Sequence, residues 1–259
     1  VLRECAQRSM PTSLLELYAA CADAMLCRVP RRLDGASSSE RAHLLRSLTP
    51  PQMPEIEVTP SDMPQIDVLL RELFFAAHVQ EARIIDEAMM EEVCVHLEAL
   101  ERPSVNRPIL STREALRALT QCVLENRLPH LSKVSVSPLE LMSSHRAFQD
   151  YYAVLVVCDG DVTNRQPLVD HPPWKWGEWW SNALRLGAEY GEPFRRGLFE
   201  MCGREPELHL RAALSADASR AGLRATVMLM QSGAEARLVD FSFNQLTEYD
   251  TPILHAGLV

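Results

Sequence analysis

Asp159 and Asp161 stand two residues apart, with Thr163 two further on, directly after the apolar run 151–158 (YYAVLVVC). Carboxylates and hydroxyls are the groups from which acid-base and nucleophilic catalysis are built. The plainer role is local: in an Asp-Gly turn both carboxylates accept from nearby backbone N–H groups. Metal chemistry finds less. Cys21/Cys27, Cys94/His96 and Glu92/His96 lack the Cys-x-x-Cys, His-Glu-x-x-His or doubled Glu-x-x-His patterns that close a coordination shell. With no Gly-x-Ser-x-Gly elbow and no glycine-rich phosphate loop, neither acyl transfer nor nucleotide hydrolysis is expected.

The stretch 154–163 (VLVVCDGDVT) resembles the first motif of haloacid dehalogenase-type phosphohydrolases, a hydrophobic strand ending in Asp-x-Asp-x-Thr. The resemblance implies Asp159 as the phosphoryl-accepting nucleophile and Asp161 as the general acid/base, with Thr163 completing the motif. Residues 227–232 (VMLMQS) are similar to the family's second element, a strand whose terminal Ser or Thr holds the phosphate, which makes Ser232 its counterpart. The chain then departs from the family. No lysine follows Lys175 to neutralise a phosphate, and no later acidic pair ends a strand to complete a Mg²⁺ site. The first expectation is therefore no catalytic residue, no metal and no cofactor.

The four tryptophans, Trp174, Trp176, Trp179 and Trp180, fall within seven residues, just after Pro172-Pro173. Indole buries much apolar area yet needs a partner for its N–H, so the cluster calls for a core or another molecule's surface. Base stacking would need unpaired cations beside the rings, and basic and acidic residues are balanced around them. A helix from about residue 177 is expected to bury Trp179 and Trp180, leaving Trp174 and Trp176 to a partner.

Periodicity and breakers outline the elements that must carry these residues. Thr12/Ser13 opens a helix over 12–28, and a second, short helix is expected over 40–48. Five prolines between residues 49 and 64 favour an extended strap, whose Met53, Ile56 and Val58 seek a surface to cover. From 65 to 101 the spacing predicts two packed helices breaking near 78–81, with a solvated acidic face over 86–101. Ser111 or Thr112 caps the next helix, and Pro138 is expected to start another running to about 150. The run 151–158 reads as a buried strand, 223–230 and 238–243 as two more, with helices between. The apolar segment 251–259, with Ile253 and Leu254, is a further contact candidate.

Charge and cysteine usage narrow the class of partner. The chain has 26 basic residues, only Lys133 and Lys175 being lysines, against 35 acidic ones, for a net charge of −9. No basic excess invites a phosphate backbone. Seven scattered cysteines read as free thiols in a reducing compartment, whether cytoplasm, nucleus or organelle matrix, and no apolar run is long enough to insert in a membrane. The organisation read from the chain is N-terminal helices at 1–48, a linker or strap at 49–65, a helical region at 66–150 and an α+β region at 151–259.

The fold expected is predominantly α-helical, a stack of helical pairs, with a smaller α+β C-terminal part. The function expected is that of a scaffold or assembly subunit binding other protein subunits of a complex through Trp174, Trp176, Met53, Ile56, Val58, Ile253 and Leu254. A phosphatase-like enzyme centred on Asp159/Asp161 is the alternative, and an organellar RNA-binding helical-repeat protein is the second.

Overall fold

A serine three residues ahead of a glutamate makes the best-marked helix start in the chain. In the computed structural model, which describes residues 11–26, 63–100, 110–159, 171–201, 220–232 and 245–258, Ser111 and Glu114 form a reciprocal capping box. The Glu114 carboxylate accepts from the Ser111 N–H at 2.8 Å, and the Glu114 N–H donates to Ser111 Oγ at 3.3 Å. The structure divides into two units, Val1–Tyr152 and Ala153–Val259.

The first unit holds α1 (Leu14–Leu26), α2 (Met63–Val79), β1 (Ile84–Asp86), α3 (Glu87–Leu100), α4 (Thr112–Leu124), β2 (Leu131–Val136) and β3 (Leu139–Ser143). α2, α3 and α4 pack on one another, burying Ile66, Leu69, Leu70, Leu73 and Phe74 with Met89, Met90, Val93, Leu119 and Cys122. Asp86 ends β1 and accepts from the Met89 N–H at 2.8 Å, so one residue closes a strand and caps a helix. Part of the expected acidic face is paired: Arg113 reaches Glu91 at 2.7 Å and Glu98 at 3.0 Å across α3 and α4.

The three strands form an antiparallel sheet in the order β1-β3-β2. Ile85 pairs with Leu141 on the buried face, and a bulge interrupts β2 between Lys133 and Ser135. This overturns the helix expected from Pro138. Leu139 and Leu141 alternate with Glu140 and Met142, a period of two, and Pro138 lies in the hairpin turn, where its missing N–H deprives no ladder of a donor.

α5 (Arg146–Asp159) is the larger correction, because the run 151–158 was expected as a strand. A continuous apolar run has no periodicity to separate strand from helix, and length arbitrates. Here the buried stretch already begins at Ala147 and includes Gln149 and Asp150, so the element is a 14-residue helix buried on all sides over 147–157.

In the second unit the C-terminal part of α5 is followed by α6 (Ser181–Tyr190), α7 (Glu192–Met201), α8 (Ala221–Gln231) and α9 (Thr251–Leu258). The strand expected over 223–230 is α8, and 238–243 lies outside the described residues, as do 40–48 and nearly all of the strap at 49–64. The mainly helical class with a small α+β part holds. The sheet, however, belongs to the first unit, and the described residues of the second include no strand. No helix among the described residues is long and apolar enough to cross a membrane.

Gly191, at φ 77°, turns the chain from α6 into α7 so that the two helices pack. A Cβ on Gly197 would collide with the Val157 carbonyl of α5, a backbone atom that no rotamer change can move. Gly197→Ala gains helix propensity, yet the overpacking dominates. It is expected to destabilise the protein by about 2 kcal/mol, read as a lower urea midpoint at unchanged m. A raised midpoint would show that α5 and α7 separate freely.

Candidate functional site

Two buried prolines set up the aromatic cluster. Pro172, at φ −64° and ψ 144°, leads into a 3-10 turn over Pro173–Lys175, and a second such turn, Glu178–Trp180, leads into α6. Trp176 and Trp180, four residues apart, come together as a parallel stack with centroids 3.7 Å apart and planes 8° apart. The Trp176 indole N–H donates to the His171 carbonyl at 3.0 Å, so the ring is satisfied within its own loop.

Both stacked rings are buried, whereas Trp174 and Trp179 are half-exposed. This corrects the assignment of Trp176 to a partner surface: its ring is core. The helix that was to start near residue 177 begins at Ser181. Two 3-10 turns place the four rings instead, so helical spacing did not decide which of them face inward.

The other contact candidates lie at the end of the chain. Thr247 and Asp250 form a capping box around the turn Glu248–Asp250, the Asp250 carboxylate accepting from the Thr247 N–H at 2.7 Å and from its hydroxyl at 3.1 Å. The turn starts α9, on which Ile253 and Leu254 are half-buried. Both α9 and the turn Pro173–Lys175 pack against α8, whose Met228 and Met230 are also half-buried. Trp174, Ile253 and Leu254, far apart in sequence, are thus carried by elements resting on one helix. Met53, Ile56 and Val58 lie outside the described residues.

The carboxylate pair fares differently. Asp159 is exposed in the last turn of α5, where the helix presents the negative end of its dipole and disfavours a bound anion. Asp161 and Thr163 lie outside the described residues. Ser232 closes α8, its hydroxyl donating to the Leu229 carbonyl at 2.6 Å. The two strands on which the phosphohydrolase resemblance rests are therefore helices. Burial pushes the Cys158 thiol up to about 12 and that of Cys122 up to about 11, so neither supplies a thiolate nucleophile at neutral pH.

The first unit encloses a polar interior that sequence reasoning missed. His78, in the last turn of α2, is fully buried with its Nδ1 3.6 Å from Asp150 Oδ1 on α5. Burial and the Arg146 guanidinium hold the His78 imidazole down at about 3. His130 shares a 3.2 Å hydrogen bond with the Tyr152 hydroxyl, and burial holds its imidazole at about 4 while pushing the Tyr152 phenol well above its usual range. At neutral pH His130 is uncharged. Phe74 stacks on Tyr152 at 5.3 Å, and Phe148 meets His130 edge-on at 5.4 Å. The register of α2 held a signal, since His78 follows Phe74 by four residues and shares its buried face.

No substrate reaches these groups, because both histidines are sealed from solvent. Comparison of the chain with protein-family models, with curated proteins and with solved structures gives no match in any of the three.

Proposed function

We propose that the protein acts without catalysis, as a scaffold or assembly subunit that binds other proteins of an intracellular complex, and that Trp174 with Ile253 and Leu254 makes the contact. One observation carries the reading. The elements bearing these three half-exposed apolar side chains rest on the same helix, α8, and the stacked core pair Trp176/Trp180 fixes the loop that presents Trp174. A rigid aromatic anchor loses little conformational entropy on binding, which is why tryptophan dominates interface energetics.

Two further facts favour a protein partner in a reducing compartment. The cysteines Cys21, Cys94, Cys122 and Cys158 are free thiols, and the net charge of −9 opposes a nucleic-acid backbone.

The test is to purify the chain from its native source as wild type and as Trp174→Ala, and to measure the affinity of each copurifying protein. Trp174→Ala is expected to leave the melting midpoint nearly unchanged while weakening one association by about 2 kcal/mol, roughly thirtyfold. Unchanged affinities for every partner would sink the assignment of the surface. Phosphomonoester turnover abolished by Asp159→Asn would overturn the non-catalytic reading.

A further inference from the structure

Residues 245–258 are held to α8 by a polar clasp at each end. At the start of α8, Arg220 pairs through Nε with Asp250 at 2.9 Å and donates through Nη2 to the Gln245 carbonyl at 3.3 Å. At the far end, the Gln231 side-chain amide donates to the Ala256 carbonyl at 2.6 Å. The clasps are spaced by the whole length of α8, so they set register as well as attachment.

Between the clasps the segment buries little of itself. Of its side chains, Asp250 is buried and Ile253 and Leu254 are half-buried, while Thr251, Pro252, His255 and Ala256 are exposed. An isolated helix as short as α9 is barely stable in water, so its form depends on the surface beneath it. Arg220 sits at φ 51°, a left-handed backbone that a residue with a side chain keeps only when something holds it. Its two contacts to residues 245–258 are that hold.

We propose that residues 245–258 are an exchangeable docking segment: the face of α8 between Arg220 and Gln231 is a helix-binding site, and the same segment of a second copy of this chain fills it to join two copies. The chemistry is legible in the occupant already seated there, an acidic residue that pairs with Arg220, then a helix turn carrying Ile253 and Leu254. A second copy offers the identical groups and makes the identical contacts. The closed form has the advantage of high local concentration, and exchange gains as protein concentration rises. The proposal shares Ile253 and Leu254 with the proposed partner contact but does not involve Trp174.

A fluorescein-labelled peptide of residues 245–258, added to the full-length chain and followed by anisotropy, tests it. The peptide is expected to bind the Asp250→Ala chain, whose own segment has lost its pairing with Arg220 while the site stays intact, at least tenfold tighter than the wild type, and to lose that binding in the Asp250→Ala/Arg220→Ala chain. A peptide carrying Asp250→Ala should not bind at all, and Trp174→Ala should leave peptide binding unchanged. In sedimentation the wild type should show a dimer that grows with concentration and disappears in Arg220→Ala. Circular dichroism confirms that each variant is folded. Failure of the peptide to bind the folded Asp250→Ala chain, or a dimer undiminished by Arg220→Ala, would overturn the proposal.

Discussion

Truncating Trp180 to alanine is expected to destabilise the protein by about 3–5 kcal/mol, a large share of the roughly 5–15 kcal/mol that holds a typical domain folded. Its indole is 2% exposed and lies flat against Trp176, so the change removes one of the largest side chains in the core together with a stacked ring pair. Stacking contributes about 0.5–1.5 kcal/mol beyond area burial, and the cavity left beside Trp176 adds a further cost. Trp174→Ala is the internal control, because that ring is half-exposed and lies outside the stack. Urea unfolding monitored by far-UV circular dichroism should show a large drop in midpoint for Trp180→Ala and a small one for Trp174→Ala. Equal losses at both positions would mean that the cluster is a single core and that the partner surface lies elsewhere.

Acid is expected to unfold the first unit well before its carboxylates titrate. His78 and His130 are held in the fold at about 3 and about 4, against 6.5 for the unfolded chain. Between those values the unfolded state binds more protons than the folded one, so stability rises with pH in that window. The contribution of each histidine is therefore complete above about pH 6.5 and is lost progressively as pH falls toward its folded value. At roughly 1.4 kcal/mol per unit, His130 alone accounts for about 3 kcal/mol, and His78 acts in the same direction. Glu16, Glu91 and Glu114 are held below the usual carboxylate range, so they do not titrate in the upper part of this window. Urea midpoints measured from pH 8 to pH 4.5 should be level at first and fall below about pH 6.5, and His130→Asn should flatten the slope. A stability constant from pH 7 to pH 5 would show that both imidazoles bind protons in the folded protein as they do in the unfolded chain.

Features carried by neighbouring residues were open to reading along the chain. The cap at Ser111 or Thr112, the helix start at Thr12/Ser13, and the break after α2 near residues 78–81 depend on a few local atoms, and the structure shows each of them, with Ser111 as the cap. The spacing of apolar residues was enough to identify a mainly helical chain. Of the candidate contact surface, the crowding of four tryptophans behind two prolines and the apolar segment at 251–259 were visible as compositions.

Tertiary structure alone decided the rest. The run 151–158 has no charged residue to mark a face, and in 223–230 Arg224 and Thr226 fit the alternation of a strand as well as a helix, so the choice fell to what surrounds them, and both are helices. The sheet formed instead from the modest alternation of 131–143, whose Leu141 finds Ile85 across β1. Which tryptophans turn inward depended on a pair of 3-10 turns that set Trp176 against Trp180, and Trp174 was left half-exposed. His78 and His130 became buried neutral groups because residues of α5, more than twenty positions away in sequence, pack against them and exclude water, and Arg146 further opposes charge on His78. Local chemistry specifies where elements begin and end, whereas burial is a property of contacts between distant segments, and no stretch of sequence states its own neighbours.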